Sequence, residues 1–193
     1  LTAKQVEVAE LRKENEELKG ELAFLEKEKY PLTLARVIAR VKENGSVFLI
    51  VNRGGNSTIE VGMPVVSQGA LVGKIIKVNR TTSIVAPLTA AGIKTAATFP
   101  GNPTTAGIVE GELNVNMLMR FIPKDVTVTA DSSVITSGLE ERIPRGLMLG
   151  LITKGESTPQ DLFQTAYIRP LVKADEIALV SIISGVEDDL PRL

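Results

Sequence analysis

The first candidate for chemistry in this 193-residue chain is Ser137, because a serine at a predicted turn can act as a nucleophile. A serine needs a neighbouring base to remove its proton. The chain contains no histidine, so a lysine would have to serve, and Lys124 and Lys154 are the nearest in sequence. No spacing connects either lysine to Ser137. A glycine-containing turn at Thr136-Ser-Gly138 is the simpler interpretation, and we predict no catalytic residue.

Two further patterns could hold a ligand. The run Arg53-Gly-Gly-Asn-Ser57 is rich in glycine but matches neither the P-loop nor the dinucleotide fingerprint, so we predict a hairpin loop and no cofactor. Glu140-Glu141 and Asp188-Asp189 lack the spacing of a calcium loop and are typical of solvated surface, so we predict no metal site. Asn56-Ser-Thr and Asn79-Arg-Thr are formal glycosylation sequons, which have meaning only in a eukaryotic secretory setting.

Composition excludes several classes of protein. With no histidine and no cysteine, the chain has no Ser-His-Asp unit, thiol nucleophile, disulfide or Cys/His zinc site. The formal net charge is −1, whereas phosphate binding needs a concentrated positive charge. With five Phe, two Tyr and no Trp, the chain also has few aromatic rings on which bases could stack, so we predict no nucleic-acid binding. The longest apolar runs, Val47–Val51 and Ile177–Ile183, are far shorter than the roughly 20 residues of a membrane span. Because the chain starts at Leu1, we expect a fragment whose membrane anchor lies upstream.

Residues 1–31 have the pattern of a coiled coil. They are rich in Glu, Lys and Leu, and their apolar residues repeat every seven positions. A buried Asn in such a seam favours two strands in register. We therefore predict a parallel homodimer, with an amphipathic helix lying on its own domain as the alternative. The dimerisation seam comprises Val8, Leu11, Asn15, Leu18, Leu22 and Leu25.

Pro31 ends the helix, and the remaining chain is typical of a mainly β protein. Short runs rich in Val, Ile, Leu and Thr alternate with Gly, Asn and Pro turns, a pattern that favours barrels or sandwiches. Twelve strands are predicted: Thr33–Val41, Val47–Asn52, Pro64–Ser67, Ala70–Asn79, Ser83–Pro87, Lys94–Phe99, Thr105–Glu110, Val115–Phe121, Ser133–Thr136, Leu147–Lys154, Gln164–Pro170 and Ile177–Ile183.

A weak internal repeat divides this β region. The run from Val61 to Gly69, followed by Leu71-Val-Gly-Lys, has the same order of turn, strand and glycine as Ala130 to Gly138 followed by Leu147-Met-Leu-Gly. We predict two small β-barrels, one over residues 32–100 and one over residues 101–185, with a tail over residues 186–193. A late strand could return to the first barrel.

The β region resembles the extracytoplasmic part of the MreC family of rod shape-determining proteins. Single motifs are weak, but their order over residues 33–183 is specific, and the coiled coil of the family matches residues 1–30. The matching motifs are Ala35-Arg-Val-Ile, Val61-Gly-Met-Pro-Val-Val, Leu71-Val-Gly-Lys-Ile, Gly107-Ile-Val-Glu-Gly, Phe121-Ile-Pro-Lys-Asp, Thr136-Ser-Gly-Leu, Ile143-Pro-Arg-Gly-Leu and Ala166-Tyr-Ile-Arg-Pro. The chain departs from the family at two turns, Asn52-Arg-Gly and Asp131-Ser132.

The resemblance implies a function that composition alone does not. The family has two barrels on a chymotrypsin-like plan without catalysis, and one membrane anchor that places them on the periplasmic side of the cell inner membrane. It acts as a scaffold that dimerises, can form filaments, and connects MreB through MreD to peptidoglycan synthesis by penicillin-binding protein 2 and RodA. We therefore expect a cell-shape scaffold that is not an enzyme, binds and activates those synthases, and binds no nucleic acid.

Three other classes remain open from the residues. A coiled coil followed by a β-barrel also begins the subunits of proteasomal ATPases, although no P-loop occurs in this chain. A Ser-Lys protease would use Ser137. A periplasmic efflux adaptor usually needs a helical hairpin, whereas one helix is predicted here.

The coiled-coil assignment makes a direct prediction. Leu18→Asp places a charge in the apolar seam, where burial of an unpaired carboxylate is costly, so the variant should be monomeric. Static light scattering measures the mass, and an unchanged dimer mass would contradict the assignment.

Overall fold

A computed structural model describes residues 4–9, 11, 12, 15, 30–43, 45–102, 107–112 and 116–185. Apart from helical residues near the N-terminus and two short 3₁₀ turns, at Gly55–Ser57 and Ala174–Glu176, the described chain is built from strands. These are β1 (Leu32–Glu43), β2 (Ser46–Val51), β3 (Pro64–Ser67), β4 (Ala70–Val78), β5 (Ser83–Pro87), β6 (Lys94–Thr98), β7 (Gly107–Glu112), β8 (Asn116–Pro123), β9 (Ser133–Thr136), β10 (Met148–Glu156), β11 (Phe163–Pro170) and β12 (Leu179–Ile183).

All twelve predicted strands are present, and β3, β5 and β9 have the predicted bounds. The strands form because β-branched residues alternate with turn residues, which suits a pleated chain buried on one side. The last strand begins at Leu179 rather than at the predicted Ile177. The preceding 3₁₀ turn at Ala174–Glu176 causes the delay.

Six strands close the first barrel. The order is β4-β3-β12-β1-β2-β5, and β5 pairs again with β4 to complete the ring. The last strand of the chain therefore lies between β3 and β1, antiparallel to both.

The other six strands close the second barrel in the order β10-β9-β6-β7-β8-β11, with β11 pairing again with β10. A single parallel bridge, between Ala70 of β4 and Met148 of β10, connects the two rings. The predicted domain boundary at residues 100/101 stays a prediction. Strand pairing places β6 in the second barrel and β12 in the first.

The two rings have the same connectivity. β1 to β5 occupy the places in the first ring that β7 to β11 occupy in the second. The sixth strand of each ring comes from the other half of the chain. β6 follows β1 to β5 in sequence but joins the second barrel, and β12 follows β7 to β11 but joins the first. Each half of the chain thus completes the barrel of the other half.

Each barrel has its own apolar core. In the first barrel, Leu49, Val65 and Ile182 are fully buried, and in the second Met119 and Ile152 are fully buried. The second core also reaches residues of the first barrel at the junction, including Val66 and Ile183. Tyr30, just before β1, packs against this second core.

In each barrel a glycine lets two paired strands approach each other closely. A Cβ at Gly73 would lie 2.2 Å from the carbonyl oxygen of Ala86, and one at Gly150 would lie 2.3 Å from that of Arg169. Both glycines pair with a strand-ending proline, Gly73 with Pro87 and Gly150 with Pro170. Gly73 and Gly150 are the glycines of the repeated motifs Leu71-Val-Gly-Lys and Leu147-Met-Leu-Gly. The close approach of the strands explains why both motifs have a glycine there.

Residues 4–9, 11, 12 and 15 are α-helical. The predicted coiled coil needs a second chain and stays a prediction. No helix within the described residues is long and apolar enough to cross a membrane.

Because β12 completes the first barrel, a substitution in β12 should strongly lower the stability of that barrel, although β12 is distant from it in sequence. Ile182→Ala leaves a cavity among fully buried side chains and should lower the free energy of unfolding by about 3 kcal/mol. Leu171→Ala, at a position that is 45% exposed, should cost less than about 1 kcal/mol. Urea denaturation measures both, and equal losses would contradict the role of β12 in the core.

Candidate interaction surfaces

An exposed pair of aromatic rings lies on the outer side of the second barrel. Phe121 of β8 and Phe163 of β11 are 56% and 47% exposed, and their ring centroids lie 5.9 Å apart at 81°, an edge-to-face contact. Leu162, which is 84% exposed, precedes Phe163, and Ile108 of β7 lies opposite the neighbour of Phe121. We call Ile108, Phe121, Leu162 and Phe163 the aromatic strip. Clustered exposed apolar side chains of this kind mark interaction sites.

A β-bulge causes Phe121 to point outward. Between the pairs Ile122–Gln164 and Met119–Ala166, β8 has two residues where β11 has only Thr165. Phe121 occupies the extra position with φ of +62°. A bulky residue at positive φ is an outlier that costs about 1 kcal/mol or more, and such strain clusters at functional sites.

Hydrogen bonds organise the hairpin loop that carries Leu162. Lys124 Nζ donates to the carbonyl oxygen of Thr158 at 2.7 Å. The Asp161 carboxylate accepts hydrogen bonds from the Thr158 hydroxyl at 2.6 Å and from its amide at 3.2 Å. The Thr158 hydroxyl in particular lowers the pKa of Asp161 below its ordinary value of 3.8. The loop next to the strip is therefore ordered by local polar contacts.

Charged side chains lie beside the strip on β10. Lys154 Nζ contacts Glu156 Oε1 at 2.5 Å, and the Tyr167 hydroxyl is 3.4 Å from Glu156 Oε2. The hydrogen bond with Lys154 lowers the pKa of Glu156 and raises the pKa of Lys154. Both groups are charged at neutral pH, and this exposed pair contributes little to stability.

A second set of polar contacts holds the barrels together. Lys74 of β4 contacts Glu140 Oε2 at 2.5 Å, while Glu140 Oε1 accepts a hydrogen bond from the backbone amide of Ala96 in β6. Arg142 contacts Glu60 across the same junction at 2.6 Å. The Arg142–Glu60 pair borders a cleft of about 360 Å³ that Met63, Glu141 and the chain after β12 also line. We call the two ion pairs the inter-barrel clasp.

The structure places the residues that the sequence offered for catalysis in separate environments. The Ser137 hydroxyl accepts a long hydrogen bond from the Leu139 amide, and Lys124 and Lys154 bind the groups named above. A general-base lysine needs a lowered pKa, whereas the pKa of Lys154 is raised. Ser137 follows β9 directly, outside regular secondary structure, and the next residue, Gly138, lies at a bend with φ of +79°.

The remaining candidates have structural explanations. Gly54 allows its loop to lie against the backbone of the β4–β5 turn, since a Cβ there would be 2.3 Å from the carbonyl oxygen of Asn79. Glu140 belongs to the clasp, and Glu141 lines the cleft. Asp188 and Asp189 lie outside the described residues.

The predicted seam is only partly within the described residues. Val8 and Leu11 are helical and 47% and 59% exposed in the single chain, and Asn15 is also helical and exposed. Leu18, Leu22 and Leu25 lie outside the described residues. The seam stays a prediction, because its burial requires a partner chain.

Sequence reasoning did not find the aromatic strip. The available signal was the adjacency of Phe121 and Ile122 at the end of the predicted strand Val115–Phe121. Strict alternation puts neighbouring residues on opposite faces, so one of the two must be exposed. Choosing Phe121 requires knowing the bulge, which depends on pairing with β11.

The fold and its surface features define a class: a double-β-barrel protein with an exposed apolar strip on its second barrel. The chain matches the family model "Rod shape-determining protein MreC, barrel core" over residues 37–184. The chain therefore belongs to the MreC family of cell shape-determining proteins.

Individual relatives agree. The cell shape-determining protein MreC of Listeria monocytogenes is 28% identical over 193 residues, which cover 95% of this chain. The chain spans 65% of the length of that relative.

Two solved structures share the fold. A structure named MreC has a TM-score of 0.82 at 19% identity and covers 90% of this chain and 98% of its own. The complex between penicillin-binding protein (PBP2) and MreC from Helicobacter pylori has a TM-score of 0.64 at 14% identity and covers 81% of this chain and 100% of its own.

The loop beside the strip should respond to acid. Because the pKa of Asp161 is lowered in the folded loop, its stabilisation is present above the ordinary value of 3.8 and is lost as pH falls through the lowered pKa. The protection factor of the Thr158 amide, its exchange rate by NMR relative to that of the unfolded chain at the same pH, should fall in that range. In Asp161→Asn the protection factor should already be low and independent of this titration, and equal pH profiles of the protection factor for both proteins would contradict the assignment.

Proposed function

We propose that this chain is the extracytoplasmic part of a cell-shape scaffold that binds a peptidoglycan synthase through the aromatic strip. The exposed edge-to-face pair of Phe121 and Phe163 carries the proposal. Aromatic residues supply much of the energy of protein interfaces, because a rigid ring buries a large area at little entropic cost. The strain at Phe121 supports the same conclusion, since a stability cost persists where function requires it.

The partner is proposed from a relative of the same family. One solved structure that shares the fold is a complex between penicillin-binding protein (PBP2) and MreC from Helicobacter pylori. The transpeptidase of the elongation machinery is therefore the first partner to test here. RodA and MreD are proposed as further partners on the resemblance alone.

The scaffold would act by differential affinity. If the strip binds the active conformation of the synthase more tightly than its inactive one, binding shifts the population toward the active state. The coiled coil would hold two heads together through Val8, Leu11, Asn15, Leu18, Leu22 and Leu25, and filaments would extend this array. Two linked heads raise the effective concentration for a second binding event.

The periplasmic side of the inner membrane is the proposed location, with an anchor upstream of this chain. Family membership favours the scaffold over the ATPase module and the efflux adaptor. The separate environments of Ser137, Lys124 and Lys154 argue against a Ser-Lys protease.

Binding to the periplasmic domain of the elongation transpeptidase from the same organism tests this proposal. Phe163→Ser removes one ring from the strip and should raise the Kd about 30-fold in biolayer interferometry, as expected for a central aromatic residue. Phe121→Asn should have a similar effect without unfolding the barrel, because Asn tolerates positive φ.

Leu171→Ser is the matched control, since Leu171 is equally exposed at 45% but is not part of the strip. Its Kd should equal that of the parent chain. If the parent binds and the strip variants bind equally well while remaining folded, the strip is not the docking surface. If the folded parent does not bind at all, the synthase proposal fails.

A further inference from the structure

The first barrel also exposes apolar side chains, on the outer side of β1, β2, β5 and β4. Ile50 pairs with Ile84 across β2 and β5. Leu49 and Val85, one residue along each strand, are fully buried in the core. Because successive side chains point to opposite sides of a strand, Ile50 and Ile84 face outward. We call the outward set the isoleucine face: Ile38, Val41, Phe48, Ile50, Ile76 and Ile84.

Two β-bulges make two isoleucines of this face project into solvent. The register shifts between Val37 and Ala39 in β1 and between Ile75 and Lys77 in β4. Ile38 and Ile76 are the extra residues, and they are 54% and 41% exposed. Val41, across from Phe48 on β2, is 44% exposed. The face is thus a patch of outward apolar side chains, all aliphatic except the half-buried Phe48.

The barrel that carries the face is basic. Residues 32–90 contain seven Lys and Arg against two Glu, a net charge of +5, whereas the rest of the chain contains 15 against 21, a net charge of −6. On β1, β2, β4 and β5 the one carboxylate is Glu43 at the hairpin end. The seven basic residues are Arg36, Arg40, Lys42, Arg53, Lys74, Lys77 and Arg80.

Three exposed cations lie next to the isoleucine face. Arg36 precedes the bulged Ile38 by two residues in β1. Lys77 pairs with Ile84 and follows the bulged Ile76, and Arg80 lies in the turn between β4 and β5. Lys74 of β4 contacts Glu140 of the second barrel and is not part of this group. Arg36, Lys77 and Arg80 form the rim of the face.

We propose that the isoleucine face and its basic rim bind the anionic surface of a lipid bilayer. Shallow insertion of apolar side chains together with Lys and Arg near acidic headgroups is how peripheral proteins hold a membrane. The single protruding aliphatic residues suit such insertion. Protein interfaces instead favour aromatic anchors, which this chain concentrates on its second barrel.

This orientation rests on the proposed extracytoplasmic location beside the membrane. The first barrel would face the lipid, and the aromatic strip of the second barrel would stay available to a protein partner. The two surfaces lie on different barrels, so their variants can be tested separately.

Co-sedimentation with vesicles tests the proposal, using the full 193-residue chain. The chain should bind vesicles of phosphatidylglycerol and phosphatidylcholine, bind pure phosphatidylcholine poorly, and dissociate as salt rises. Lys77→Gln combined with Arg80→Gln should lower the partition coefficient about 30-fold, because each cation near an anionic surface is worth about a factor of five. Ile38→Ser should also weaken binding.

Arg120→Gln with Arg169→Gln removes the same charge from the second barrel, and Ile108→Ser removes an isoleucine there. These controls should bind like the parent chain. Lack of binding to anionic vesicles, or equal losses in both sets, would overturn the proposal. So would equal affinity for soluble polyphosphate with no effect of Ile38→Ser, which would assign the rim to a soluble polyanion. Failure here would leave the synthase test unaffected, since that test uses Phe121 and Phe163.

Discussion

The architecture depends on one steric constraint that recurs in both barrels: a strand must lie against a neighbouring backbone with no side chain between them. At Gly73 and Gly150 a Cβ would approach a carbonyl oxygen of the next strand within 2.2–2.3 Å, a distance that no side chain can occupy. Each contact lies where a ring closes, β4 onto β5 and β10 onto β11, and each partner strand ends at a proline that stops the ladder. Without these crossings the strands would form open sheets with long edges, which promote aggregation.

The exchange of β6 and β12 extends this local constraint to the whole molecule. Because each half supplies a strand to the ring of the other, neither ring can close from a continuous stretch of chain. The inter-barrel clasp and the shared core around Val66 and Ile183 then restrict the relative rotation of the barrels. A scaffold benefits from this arrangement, since surfaces that must engage different partners are held at one geometry without the cost of ordering them on binding.

The sequence predicts elements better than it predicts their pairing. The strands follow from β-branched runs and from turn residues such as Asn44-Gly45, which are local signals. The repeated glycines were also visible, although only the structure shows that Gly73 and Gly150 close barrels. The place of β12 beside β1 depends on contacts about 150 residues apart, and the clasp of Lys74 with Glu140 spans 66 residues. Phe121 was missed for the same reason, because its bulge exists only through β11.

Closure of the barrels explains why both proposed binding surfaces arise at bulges. A closed ring uses most of its backbone hydrogen bonds internally, so partners must be recognised by outward side chains rather than by strand addition. On a regular strand only every second side chain points outward. Bulges at Phe121, Ile38 and Ile76 instead add one residue and re-aim it toward solvent. The side chain at each bulge then determines the partner: a strained aromatic ring suits a protein pocket, and a short aliphatic chain beside cations suits an anionic bilayer.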